Sequence, residues 1–211
     1  TVTQNREIDG INTALSLIPG MELTTQLGHV NFVGVAEPVF SFLPCATEVD
    51  ITLKIAEARS NGAWIGINHP FCQHCPWLLP FINYDWLELW NGPWEATTLN
   101  VRSRSHERDD ILRAIANGQS YMQSHDDIQL RQFTAGEAGP GEASASLTLH
   151  LDLNVPTHHQ VLLYTQHQVY ELPHRGGVVK QDIRWADSRF AFLRVNDGHS
   201  AQLITNPIFR E

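Results

Sequence analysis

The chain has 211 residues and carries 23 Asp and Glu against 14 Lys and Arg, a formal net charge of -9. Its basic residues form no cluster, which excludes nucleic-acid or acidic-membrane binding through a basic surface and makes small molecules or cations the expected partners. Three cysteines, an odd number, are not the disulfide framework of a small secreted domain, so a reducing compartment, the cytoplasm, is expected. No apolar run approaches the roughly 20 residues of a membrane span.

Taken along the chain, LSLIPGMELTTQLGHVNFVGV holds two β-rich runs, one ending near Glu22 and one over His29 to Val35, with polar turn residues between them. Ile51, Ile55 and Ala58 recur at helical spacing within Thr47 to Asn61, and Asn61-Gly62 ends that helix. Ala63 to Ile67 reads as a short apolar strand, stopped by Asn68, His69 and Pro70; WLELWNG reads as another, ending at Asn91-Gly92. A second helix is predicted over about Arg108 to Asn117, with Gly118 in the capping position. The alternation of strand and helix, with polar residues at strand ends, is the pattern of an α/β sheet or barrel.

Beyond this the composition changes. AGEAGPGEASAS, residues 135 to 145 and the serine that follows, is rich in small residues and reads as a linker or long loop. SLTLHLDL then alternates strictly, and QVLLYTQHQVYEL, RFAFLRV and AQLITNPIF follow as strand-like runs with turns at HRGG and NDGHS. The expected organisation is a domain over 1–134, a linker over 135–145, and a small antiparallel, sandwich-like β domain over 146–211.

Strand ends supply three metal-binding side chains: Glu22 after IPGM, His29 after QLG, and His69 before Pro70. Two imidazoles and a carboxylate suit Zn, Mn or Fe, ions that hydrolases use to activate water. Cys72, His74 and Cys75, in HPFCQHCPW, offer a second metal-binding pattern at clamp spacing, but a structural zinc site takes four ligands and only the distant Cys45 adds another thiolate. The segment is therefore read as a loop over the mouth of the domain.

Together, IPGMELTTQLGHVNFVG, GINHPF and LELWNGPW, in this order, resemble the polymerase and histidinol phosphatase (PHP) superfamily of metallohydrolases, most closely its carbaryl-hydrolase-like branch. The resemblance implies a distorted (βα) barrel, an α/β fold, with metals at the C-terminal ends of the strands. It implies that Glu22, His29 and His69 are ligands to divalent ions, and that Asn68, Trp90, Asn91 and Trp77 line or brace a substrate pocket. The implied activity is metal-dependent hydrolysis, by an ion-activated water, of a phosphoester or of a carbamate, ester or amide. The partner is then a small-molecule substrate, with a homo-oligomer left open.

The family's opening His-x-His strand is absent, and its second segment is reduced to VTQN, with Gln4 where an imidazole belongs. Its Asp-x-His segment after the WNG strand is missing too; His106 stands nearest, beside the charged start of a helix. Three ligands hold one ion, whereas a two- or three-metal site needs more. The remaining ligands therefore lie in segments outside these residues, or the chain is a catalytically degenerate scaffold or ligand-binding protein.

Overall fold

The computed structural model describes residues 16–35, 42–43, 46–81, 83–88, 98–124, 127–185, 187–198 and 200–211. Contacts divide the chain into two compact units, 1–93 with 104–116, and 94–103 with 117–211. The stretch 135–145, read above as a linker, lies within the second unit.

The first unit is built on a hairpin. β1 (Gly20–Thr25) and β2 (Gly28–Val33) pair antiparallel from Gly20 opposite Val33 to Thr25 opposite Gly28. The turn between them is held by Thr25, whose hydroxyl donates to Gly28 O and accepts from the Leu27 N–H. Gly28 sits at φ +126, and a Cβ there would lie 2.6 Å from Trp77 Cε3, so glycine is required both for the turn and for the close approach of the indole. β2 pairs antiparallel with β4 (Trp64–Asn68). The short strands β3 (Phe42–Leu43) and β5 (Trp86–Leu87) add parallel edges, giving the order β3-β1-β2-β4-β5.

Helix α1 (Glu48–Ser60) starts at a capping box: the Asp50 N–H donates to the Thr47 hydroxyl, and the Thr47 N–H donates to the Asp50 carboxylate. Ile51, Ile55 and Ala58 form its buried stripe, as their spacing predicts, and pack with Leu23, Val30, Phe32, Ile65 and Ile67 from the sheet's inner face. Helix α2 (Arg108–Ala116) buries Leu112 and Ala114. Leu23, Phe32 and Ile65 are fully buried, each contributing about 1.5–3 kcal/mol of transfer free energy relative to exposure.

The expected (βα) barrel is not what the sequence builds. Two helices are present among the described residues, against many strands, and the sheet of the first unit is open. A barrel of that kind needs a helix between successive parallel strands. Here the three central strands run antiparallel, and β1 passes to β2 through a turn too short for any crossover.

The second unit is made of antiparallel sheets. A three-stranded sheet joins β8 (Gln129–Ala135), β10 (Thr148–Val155) and β13 (Gly177–Arg184) in the order β13-β10-β8. The larger sheet runs β12-β11-β14-β15-β7-β6, from β6 (Thr98–Val101), β7 (Ser120–Gln123), β11 (Gln160–Thr165), β12 (Val169–Glu171), β14 (Phe190–Asn196) and β15 (Ala201–Thr205). β16 (Ile208–Arg210) pairs with β14 and with β9 (Ala143–Ser144), which falls inside 135–145. The alternation in SLTLHLDL places Leu149, Leu151, Leu153 and Val155 in one apolar core with Val161, Leu163, Leu193 and Leu203. No helix among the described residues is long and apolar enough to cross a membrane.

Candidate metal centre

Strand parity builds the site. Along β2, Val30 and Phe32 are fully buried, so His29 and Asn31 point to the opposite face. Along β1, buried Met21 and Leu23 likewise leave Glu22 on that face, and the register sets Glu22 opposite Asn31. On β4, Asn68 stands opposite His29. Hydrophobic alternation thus collects Glu22, His29, Asn31 and Asn68 on the polar side of one antiparallel sheet.

His69 is the exception that completes the set. As the next extended residue it would point with Ile67 toward the core, but its backbone turns to φ +29, a region non-glycine residues rarely occupy. The Glu88 carboxylate holds this turn. Its Oε2 accepts the His69 backbone N–H at 2.6 Å and lies 3.2 Å from the ring Nδ1. Glu88 thus faces Nδ1, and the other ring nitrogen, Nε2, is directed away from it.

Nε2 faces His29. His69 Nε2 is 3.0 Å from His29 Nδ1, which is 3.1 Å from Glu22 Oε1, and one ligand atom from each of the three residues falls within 4.8 Å of the others. Among the described residues this is the group of His, Cys, Asp and Glu side chains close enough to hold an ion. Ligands about 2.0–2.1 Å from a tetrahedral ion lie roughly 3.3 Å from one another, so the two short edges fit a shared ion. The donor set, two imidazoles and a carboxylate, fits Zn, Mn or Fe. Asn68 Nδ2 donates to Glu22 Oε1 at 3.0 Å, and Asn31 Nδ2 donates to Asn68 Oδ1 at 2.6 Å, a chain that fixes the carboxylate. The Glu22 side chain is 42% exposed, which leaves one side of the group open to solvent.

The other expected residues fall as follows. Asn68 braces Glu22. Trp77 is buried beneath Gly28 with the core of the first unit. Trp90, Asn91, Gln4 and Cys45 lie outside the described residues. His106 is exposed, with its carbonyl accepting from the Ser16 hydroxyl. His159, in the turn PTHHQ, is buried. Glu88 and Asn31 went unassigned in the sequence, although Glu88 opens ELWNGPW and Asn31 follows His29 at the same-face interval of two.

Cys72 and Cys75 hold free thiols, and the Cys75 thiol donates to Cys72 Sγ at 3.2 Å. The His74 N–H, followed by the Cys75 thiol, lowers the Cys72 pKa below its ordinary value. The same thiol–thiol bond is the largest cause raising that of Cys75, with burial and the nearby Cys72, Glu22 and Glu88 charges adding to it.

The second unit has a cleft of about 510 Å³ flanked by β6 and β8. Its two guanidiniums already face carboxylates, Arg102 with Glu142 at 3.2 Å and Arg131 with Asp152 at 4.0 Å. The convergent donor set lies in the first unit.

No family model and no curated protein sequence matches the chain. Among solved structures it is similar to a two-domain protein from Bacteroides vulgatus ATCC 8482 containing a predicted PHP-like metal-dependent phosphoesterase, with 13% sequence identity and a TM-score of 0.46, covering 97% of this chain and 77% of that one. A likeness of this degree transfers no residue roles, and the centre stands on its own geometry.

Proposed function

We propose that the protein is a metal-dependent hydrolase acting on a small-molecule phosphoester, or on a carbamate, ester or amide, with one divalent ion held by Glu22, His29 and His69. The observation that carries this reading is the convergence of three ligands from β1, β2 and the end of β4, one of them orientated by a carboxylate on its other ring nitrogen. Carboxylate–imidazole pairs of this kind accompany metal-ligating histidines, fixing tautomer and ring direction.

A divalent ion bound there supplies Lewis-acid polarisation and lowers the pKa of a coordinated water to about 7. The chain's residues do the rest. Glu88 keeps the His69 proton on Nδ1, so that Nε2 is available as a ligand. Asn68 and Asn31 hold the Glu22 carboxylate against rotation, and the exposed side of Glu22 admits water and substrate. Phe71, 73% exposed on the segment that leaves His69, and Phe81, with ring centroids 6.2 Å apart, offer apolar surface to an organic leaving group.

The test is metal content and hydrolysis by the purified protein. About one equivalent of Mn, Fe or Zn per chain, lost in Glu22→Ala and in His69→Ala, is the expected result, with turnover of p-nitrophenyl phosphate or a naphthyl carbamate naming the bond cleaved. A folded protein that takes up no metal would overturn the reading in favour of a degenerate scaffold or ligand-binding protein.

A further inference from the structure

The segment that leaves the metal centre carries its own chemistry. Cys72 and Cys75 are half-buried, reduced, and already in sulfur–sulfur contact at 3.2 Å. Sulfurs in a disulfide are about 2.05 Å apart, so the pair has to close by only about 1 Å. Gln73 and His74 between them are exposed, so the turn is open to a small reagent.

Both ends of the segment are fixed to parts of the site. At its start the Cys72 N–H donates to His69 O at 2.9 Å, and the Trp77 N–H reaches back to Pro70 O at 3.0 Å. At its far end the Leu78 N–H donates to Leu27 O at 2.9 Å, and Trp77 fills the space beside the missing Gly28 Cβ. One anchor is therefore a ligand, and the other presses on the residue before a ligand, His29.

We propose that Cys72 and Cys75 are a reversible dithiol–disulfide pair that exchanges with small-molecule disulfides, and that its closure weakens metal binding at Glu22, His29 and His69. The second half rests on the metal reading above; the first does not. In the exchange, one cysteine as thiolate attacks a sulfur of R–S–S–R, forming a mixed disulfide and releasing RS⁻. The other cysteine then attacks the protein sulfur of that mixed disulfide and releases the second RS⁻. The protein loses two electrons and two protons, which leave in two molecules of RSH. Drawing the sulfurs together shifts the turn at Cys72, and with it the φ +29 backbone of His69 that Glu88 holds, or else the Trp77 anchor under Gly28. Loss of such support at a metal ligand weakens affinity by about 10–100-fold.

The full chain is equilibrated in mixtures of reduced and oxidised glutathione, alkylated, and read by intact mass and peptide mapping. The expected product is a chain lighter by two hydrogens with a Cys72–Cys75 link, restored by a dithiol reductant. Cys72→Ser and Cys75→Ser, checked for folding by circular dichroism, are expected to trap the mixed disulfide instead. Two alkylatable thiols at 72 and 75 throughout the series, or a link that uses Cys45, would overturn the pair. Mn²⁺, which thiolates bind poorly, is then titrated into both forms. At least tenfold weaker binding by the disulfide form is expected, with no dependence on the glutathione ratio in the Cys72→Ser/Cys75→Ser protein. Equal affinity in the two forms overturns the coupling; absence of Mn²⁺ binding in both overturns the proposed function and leaves the mapped disulfide to decide the pair.

Discussion

Replacing Glu88 with alanine tests the centre where the sequence is silent. The Glu88 carboxylate accepts the His69 backbone N–H at 2.6 Å and lies 3.2 Å from its Nδ1, so the substitution releases both the strained turn and the contact that directs the ring. Loss of such a partner costs about 10–100-fold in metal affinity. Because the Glu88 side chain is 35% exposed, water replaces part of what is lost, and the lower half of that range applies. The expected weakening is about 10–30-fold, or about 1.4–2 kcal/mol. Glu88→Gln keeps an acceptor oxygen for both donors and is expected to lose less than about tenfold. The assay is Mn²⁺ titration by calorimetry or chelator competition, alongside urea unfolding of the metal-free proteins. The urea midpoint is expected to move little, since a pair at the surface with its carboxylate partly exposed contributes about 0–1 kcal/mol. Wild-type affinity in Glu88→Ala would refute the reasoning, as would a loss of affinity equalled by a loss of metal-free stability.

Other outcomes follow from the same geometry. Saturating metal, at about 100 times its dissociation constant, stabilises the folded chain by about 2.7 kcal/mol; a metal-dependent rise in Tm is expected for the wild type and none for His29→Ala, measured by differential scanning calorimetry. Gly28→Ala puts a Cβ 2.6 Å from Trp77 Cε3 at φ +126, and a loss of about 1–3 kcal/mol in denaturant unfolding is expected, with weaker metal binding through His29. Thr47→Ala removes the cap of α1, a loss of about 1 kcal/mol in urea unfolding. The Thr47 N–H and hydroxyl hold the Asp50 carboxyl below its ordinary value of 3.8. Its stabilisation is therefore fully present above pH 3.8 and lost as pH falls through the lowered value. Unfolding curves across that acid range should show a steeper decline for the wild type than for Asp50→Asn.

Much of the local structure is legible in the sequence because neighbours along the chain determine it. The stripe Ile51, Ile55, Ala58 and the stop at Asn61-Gly62 set α1, whatever it packs against. The strict alternation of SLTLHLDL sets β10, since every second residue must be buried. The two β-rich runs of residues 15 to 35 are present as strands, but they pair as an antiparallel hairpin; the barrel implied by the motif order required helices between parallel strands. β13 was not visible, because in GVVKQDIR only Val179 is buried and an edge strand with an exposed face leaves no apolar period to read. β6, β7 and β8 likewise join the second unit through pairing with distant strands.

For the centre, residue type and strand-end position by themselves singled out Glu22, His29 and His69 as a candidate set. That these three side chains meet depends on register, since a one-residue slip between β1, β2 and β4 would send them to opposite faces. The turn of His69 away from the core depends on a carboxylate 19 residues further along the chain, and the orientation of the Glu22 carboxylate on the amide of Asn68, itself held by Asn31. Such contacts leave no local pattern, because what fixes them is the antiparallel pairing of strands and the placement of β5 beside β4. Residue type and position marked the candidates; tertiary structure decided that Glu22, His29 and His69 come together, and that the Cys72–Cys75 segment is fastened at both ends beside them.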